Sequence, residues 1–513
     1  MGNSVSRAAL VVVIMNLLAK ILGFLREVAI AGVFGATMQT DAYNVAYTLP
    51  YSLQQVLGQA LLTITVPILT KYLVENRRQE ANLVTSYFIN ATAAAMIITA
   101  ALGVVFSPLL VKIFAPNLNV AAVDLAIELT RIMFPAIIFM SLGMICSGIL
   151  NANHKFLSAA FAPGFSSLII IVSVFVLGSN FGIRGLAYGT LLSFVGFLLV
   201  VLPGVWRSGY RYLPKFSLRH PEVKAAMLSL VPIVLGTSVN QIYYILNRIF
   251  ASGLPEGSIS VLNYATKVVN LPSGIFVAAI AVAIYPAFSE YALKDQKESF
   301  IASLEKGMGI VMLLAIPSAV GLICLANPII SVLFERGEFT HAAAISTAQA
   351  LQWYSIGLFP YAAILVLMKA VYAFNDVKMP IYAGLCGIAV NVAVSFITIG
   401  FMGHRGLALA TALASTINML VFFPALRKHL PGIKYGNFLQ SFCRITAASL
   451  GMAAVVLAVR YLLPRIGLGS DLMVVTVGII LGVAVYFVLT MLLKVREVVY
   501  FKEILGKKLH RGN

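Results

Sequence analysis

Acidic residues are scarce in this chain: 18 Asp and Glu stand against 36 Lys and Arg in 513 residues, and charged residues of both signs together make up 11%. With 60% hydrophobic residues, so little charge cannot cover a water-facing surface, which excludes an ordinary soluble protein. Cysteine is scarce too. Cys146, Cys324, Cys386 and Cys443 lie far apart in apolar stretches, without metal-like spacing, and read as small buried hydrophobes. The six histidines are scattered and no nucleophile–base pair accompanies them. No Gly-x-x-x-x-Gly-Lys-Ser/Thr phosphate loop is present, which argues against ATP hydrolysis by this chain. Enzymatic chemistry therefore has no support, and no cofactor is implied. Short segments of alternating polarity are missing, which argues against a β-barrel. No small-residue cleavage site follows the first apolar run, so the first helix is expected to stay in the protein.

What is present is a succession of long apolar runs. They predict an all-α polytopic membrane protein with about fourteen transmembrane helices, the first near 8–34 and the last near 470–494. Alternate loops are basic. Lys71, Arg77 and Arg78 open one series, which continues through Lys155, Arg207, Arg211, Lys215, Arg219, Lys224, Lys294, Lys297, Lys378, Arg427, Lys428 and Lys434. The other loops, such as GATMQT and PNLNVA, are nearly free of Lys and Arg. The positive-inside rule then places both termini in the cytoplasm. This distribution also accounts for the net charge of +18 without nucleic acid; the basic tail over 495–513 suits an anionic lipid surface instead.

The chain repeats itself. GIRGLAYGT at Gly182–Thr190 matches GHRGLALAT at Gly403–Thr411; Leu49-Pro50 matches Leu271-Pro272; Phe134-Pro135 matches Phe359-Pro360. All three offsets lie between 221 and 225 residues. Two parallel copies of a six-helix lobe are therefore expected, at 1–207 and 222–428, around a central cavity, with two extra helices over 438–494. Paired lobes of this kind are the architecture of alternating-access transporters.

The first helix carries Lys20, Arg26 and Glu27, and Asp41 opens the second; Lys267 lies in the eighth. Charge at membrane depth is expensive unless it meets a partner or a water-filled cavity. A cationic cavity with two acids suits an anionic phosphate or diphosphate headgroup. The plainer alternative is that Arg26–Glu27 and Lys20–Asp41 are structural pairs pinning helices. Arg184 and Arg405, next to turn glycines, read as interfacial anchors. Asn247, Asn391 and Thr411 offer neutral oxygens for a cation but no carboxylate.

The stretch LGFLREVAIAGVFGATMQTDAYNVAYTLP, together with NYATKVVNLPSGIF and GHRGLALAT, resembles the MurJ (MviN) family of lipid II flippases in the multidrug/oligosaccharidyl-lipid/polysaccharide exporter superfamily. The resemblance covers essentially the whole chain. It implies two lobes around a cationic cavity and two C-terminal helices forming a groove for a polyprenyl tail. The implied activity is movement of undecaprenyl-diphosphate-linked disaccharide pentapeptide from the inner to the outer leaflet of a bacterial cytoplasmic membrane, by a monomer that works beside cell-wall synthesis proteins. By position, Arg26 matches an essential cavity arginine, Glu27 the acid beside it, and Asp41 the acid opening the second helix. Lys20 and Lys267 stand where relatives have arginine, which keeps charge but loses the bidentate fork. Gln54 and Gln59 replace a charge pair, and Ser167 replaces Asn. At a sodium site present in some members, Asn391 and Thr411 match, whereas Asn247 and Ser395 replace acidic ligands. The coupling ion is thus left open, with membrane potential as an alternative drive.

Three other readings compete. They are a flippase for another polyprenyl-diphosphate sugar, a multidrug-type cation antiporter and a non-transporting cell-wall scaffold. A cationic first helix argues against the antiporter, and buried charge in duplicated lobes argues against the scaffold.

Overall fold

The computed structural model describes residues 2–217, 219–433 and 435–498. Lys434 and the tail from 499 onward, both used above for topology and lipid contact, lie outside the described residues. Every regular element among the described residues is helical. In chain order these are α1 (Gly2–Phe34), α2 (Met38–Val74), α3 (Arg78–Val105), α4 (Ser107–Phe114), α5 (Val120–Met133), α6 (Ala136–Ala152), α7 (Phe156–Arg207) and α8 (Pro221–Ala251). They continue with α9 (Ser258–Pro272), a π-helical turn (Ser273–Val277), α10 (Ala278–Leu293), α11 (Lys297–Cys324), α12 (Ala326–Phe334), α13 (His341–Ile356) and α14 (Leu358–Ala373). The last four are α15 (Lys378–Met402), α16 (His404–His429), α17 (Tyr435–Arg465) and α18 (Asp471–Leu492).

Joined across their breaks, these segments regroup into the fourteen expected stretches, and the protein is a multi-pass membrane protein. By length and composition alone, eight helices among the described residues are fit to cross a membrane, or ten if each bent pair counts as one span. Two of the breaks account for the step from eight to ten, and the breaks recur in both copies of the repeat. A 40° bend separates α5 from α6 at Phe134-Pro135, and a 44° bend separates α13 from α14 beside Phe359-Pro360. Proline removes a helical N–H and crowds the preceding turn, so the bend sits where the ring sits. Likewise α3 breaks into α4 at Phe106, and α11 into α12 at Leu325.

The 52-residue α7 is two arms. At Gly182 the backbone takes φ 57° and ψ −140°, outside the helical region. On either side of it the arms pack antiparallel: the Ser166 hydroxyl donates to the Ser193 carbonyl at 2.8 Å, and Gly189 lies so close to Ser173 that a Cβ would approach it to 2.2 Å. Gly403, between α15 and α16, has nearly the same dihedrals, φ 56° and ψ −132°. Only glycine adopts such a conformation without strain. The two best-matched stretches of the sequence repeat are therefore the two reversals.

Four helix starts are capped by neutral side chains. Thr37 and Thr40 form a capping box at α2, while Asn119, Thr340 and Ser470 cap α5, α13 and α18. Each cap satisfies amide donors that the first turn leaves free.

By contact the chain divides into two compact units, Met1–Ser260 with Arg336–Phe339, and Val261–Glu335 with Thr340–Asn513. The division falls after Ser260, beyond the expected boundary near 222, because α8 packs on α2 within the first unit. Lys71 pairs with Glu222 at 2.7 Å near one end of α8, and Arg248 donates to the Thr48 hydroxyl at 3.3 Å near the other. The core of unit 1 is formed by Leu61, Ile64, Phe88, Ile145, Ile149, Leu150 and Val201 with their neighbours. Unit 2 has a core of its own around Phe288, Phe300, Met308, Val366 and Phe422. Helices α17 and α18 belong to unit 2. Tyr486 donates to the Leu313 carbonyl at 2.9 Å, and Arg460 to the Cys324 carbonyl at 2.8 Å, at the end of α11 where the helical ladder stops. The buried residues of α18, Val474, Gly478, Gly482, Tyr486 and Thr490, repeat every four positions. This narrow stripe of mostly small side chains gives close helix contact on one side and leaves an apolar face outward.

Candidate functional site

The ionisable residues of α1 and α2 sit where the sequence places them, but their partners are only partly the expected ones. At 1.5 Å per residue, Arg26 lies ~12 Å along the helix axis from the end of α1 at Phe34. Its Nη2 donates to Glu27 Oε1 at 2.5 Å. Adjacent residues on a helix do not face each other, so the guanidinium bends back to reach the carboxylate. Both side chains are largely enclosed, 16% and 7% exposed. Among the described residues this is the only hydrogen bond Arg26 makes, so Nε and Nη1 are not engaged in it.

Beside the guanidinium runs a ladder of tyrosines. Tyr43, Tyr47 and Tyr51 lie four residues apart on α2, with ring centroids 6.0 and 5.1 Å apart, and Arg26 stands 6.0 Å from the Tyr47 centroid. Tyr43 is fixed by a 2.9 Å hydrogen bond with Thr190. The four-residue spacing was visible in DAYNVAYTLPYS and was the overlooked signal for this wall.

Asp41 is engaged differently from the alternative pairing with Lys20. One carboxylate oxygen accepts from the Gly257 N–H at 2.7 Å; the other accepts from the Ser260 N–H at 2.8 Å and hydroxyl at 2.6 Å. Asn44 donates to the Ser260 hydroxyl oxygen at 3.0 Å. The buried carboxylate thus caps the start of α9 from α2, supplying the acceptors and negative charge that a helix N-terminus favours. Lys20, by contrast, is exposed.

Glycines bring the surrounding backbone together in unit 1. The Glu338 N–H donates to the Gly32 carbonyl at 3.0 Å, and Gly337 (φ 57°) leaves no room there for a Cβ. At Gly257 (φ 84°) a Cβ would lie 2.3 Å from the Ala36 carbonyl oxygen. Gly257→Ala should therefore cost about 2 kcal/mol or more, from strain and overpacking together. Gly321→Ala, in a helix with open space around it, is the control and should leave the thermal midpoint in detergent nearly unchanged. Equal midpoints for the two variants would contradict the close approach at Gly257.

The remaining candidates fall into three places. Gln54 is buried on α2, its amide over Gly58 one turn on, whereas Gln59 is exposed and its carbonyl accepts from Thr63 at 2.7 Å. Ser167 donates to the Pro163 carbonyl at 3.1 Å and faces Gly23 across the α1–α7 contact, a helix-packing position. Lys267 lies half-buried on α9 within unit 2, five residues before Pro272 and the π-turn. Of the neutral oxygen ligands, Asn391 and Thr411 meet across the second hairpin, with Nδ2 to Oγ1 at 3.4 Å. Ser395 is buried one turn from Asn391. Asn247 belongs to unit 1. Arg184 is anchored by a bidentate pair with Glu128, at 2.6 and 2.9 Å, a partner the sequence did not suggest.

Known proteins resemble the chain over nearly its whole length. A family model described as "Lipid II flippase MurJ" matches residues 30–496. A probable lipid II flippase MurJ of Bdellovibrio bacteriovorus is 30% identical, covering 97% of this chain and 96% of its own length. The lipid II flippase MurJ of Burkholderia cenocepacia is likewise 30% identical, over 88% of this chain and 89% of its own. Among solved structures, a lipid II flippase MurJ in an inward closed conformation superposes with a TM-score of 0.82 at 24% identity, over 97% of this chain and all of that one. An inward-facing multidrug-resistance MATE transporter of the MOP superfamily gives 0.68 at 15% identity, over 82% and 98%. At these identities the two structures speak to the fold.

Proposed function

Because the chain belongs to the lipid II flippase MurJ family, we propose that it carries the polyprenyl-diphosphate-linked peptidoglycan precursor from the inner to the outer leaflet of a bacterial cytoplasmic membrane by alternating access. The observation that supports a binding role most directly is Arg26: an enclosed guanidinium held by Glu27, with donors to spare and a tyrosine wall beside it. A diphosphate offers the oxygens such a fork recognises. Exposed Lys20 on the same helix adds attraction without geometry. Asp41 acts on the protein, holding Gly257–Ser260, and not on the substrate.

Both termini lie on the cytoplasmic side in this reading, since the loops Lys71–Arg78 and Arg207–Lys224 carry the positive charge. Membrane potential is the favoured drive, at roughly 2.3 kcal/mol per charge per 100 mV. The oxygens of Asn391, Ser395 and Thr411 bring no carboxylate to a sodium ion.

Depletion of the protein in living cells, with an outside-acting reagent that cleaves only outer-leaflet lipid II, tests the reading. Lipid II should accumulate protected on the inside and become exposed again on re-expression. Persistent exposure in a strain without a second flippase would redirect the search to another polyprenyl-linked sugar.

A further inference from the structure

Some loop cations have carboxylate partners: Lys71 with Glu222, Arg77 with Glu75 and Glu80, Lys294 with Glu290, Lys297 with Asp295. At the end of α16 three basic side chains follow one another, Arg427, Lys428 and His429. His429 is taken up by Asp376 at 3.5 Å and by stacking on Phe374, but Arg427 and Lys428 are exposed and pair with no carboxylate among the described residues. Both border a groove of about 390 Å³ whose other walls are Phe423, Pro424 and Tyr435.

The groove is built, not merely left over. The Tyr435 hydroxyl, from the first residue of α17, donates to the Phe423 carbonyl at 2.7 Å; that carbonyl sits just before Pro424 in the final turns of α16. The Phe423 ring meets Tyr435 edge-on at 5.5 Å and Phe438 at 6.5 Å, which fixes the aromatic floor. The result has an apolar base and a cationic rim, at the end of a membrane helix where tyrosine and basic side chains meet the headgroup layer. A free phosphate would leave the aromatic floor unused, and a neutral headgroup would leave both cations without a counter-ion.

We infer that this groove binds the phosphate of an anionic phospholipid, with Arg427 and Lys428 on the phosphate oxygens and the glycerol and first acyl carbons against Phe423 and Tyr435. The site is separate from the Arg26 machinery of α1.

The test uses the full chain in detergent, titrated with short-chain phosphatidylglycerol, with phosphatidylcholine of the same chains, and with inorganic phosphate, and read by native mass spectrometry. Wild type should bind phosphatidylglycerol at one saturable site, phosphatidylcholine at least tenfold more weakly, and inorganic phosphate should displace the lipid poorly. Arg427→Gln with Lys428→Gln should weaken phosphatidylglycerol about tenfold. Lys294→Gln with Lys297→Gln, the same charge change in another basic loop, should alter it less than twofold. Equal losses in the two double variants would mean bulk charge and overturn the site. So would equal binding of the two lipids, full displacement by millimolar phosphate, or wild-type affinity in the Arg427/Lys428 variant. Both residues are exposed, so the variant should keep the wild-type thermal midpoint in phosphatidylcholine; a fall there would be checked with Arg427→Lys, which should bind the anionic lipid as wild type does.

Discussion

Arg26→Ala should abolish exposure of lipid II on the outer leaflet. The same change also takes the guanidinium away from Glu27, whose side chain is 7% exposed. Breaking a buried pair from one side costs about 3–5 kcal/mol, whereas replacing both partners by apolar groups of similar volume is often neutral. The single variant is therefore expected at a reduced level in the membrane as well as inactive. Arg26→Met combined with Glu27→Leu separates the two effects: its abundance and thermal midpoint should return close to wild type, while lipid II stays absent from the outer leaflet. If the double variant restores exposure, the guanidinium is a structural pin and substrate recognition lies elsewhere. Arg26→Lys should retain folding and lose much of the activity, since an ammonium keeps charge but not the planar fork.

The second large effect is expected at Asp41. Its carboxylate accepts from two backbone amides and one hydroxyl around Gly257–Ser260, and it is 4% exposed. Asp41→Ala leaves those donors buried with no acceptor, at about 1–3 kcal/mol for each unsatisfied group. Hydrogen exchange at the Gly257 and Ser260 amides should speed up roughly 10- to 100-fold, because local opening costs that much less. Asp41→Asn keeps one acceptor oxygen and should fall between. Unchanged exchange at both amides in the alanine variant would show that the cap carries no energy. Asp41→Ala should also impair lipid II exposure, but through the loosened segment; Arg26 would still meet substrate.

How much of this was legible beforehand depends on how local each feature is. The reversals at Gly182 and Gly403 were written in a nine-residue repeat, because a single glycine conformation enforces each one. The Phe-Pro bends were legible for the same reason. The charge of α1 was legible because apolar surroundings make any ionisable residue stand out. The cap by Asp41 was not, since its acceptors serve amides 216 and 219 residues away and backbone donors leave no mark in a sequence. Glu128 was missed because a lone acid near a helix end gives no sign of which arginine it meets. Ser167 faces a glycine on the neighbouring helix, and a serine so placed looks the same in one dimension as a serine facing a ligand. The grouping of α8 with the first unit was hidden by the repeat itself, which marks ancestry of segments and says nothing of which neighbour each one packs on.

The glycine reversals bear on how the chain reaches the bilayer during synthesis. Gly182 and Gly403 join their helices with a single non-helical residue, so neither pair has a tether long enough to wait in water while one arm sits in lipid. The Ser166 hydroxyl in one pair, and the Asn391 side-chain amide in the other, find their hydrogen-bond partners across the turn. An arm entering hydrocarbon alone would bury those groups unpaired. The two arms of α7, and likewise α15 with α16, therefore leave the insertion machinery as preassembled hairpins, each crossing in a single step.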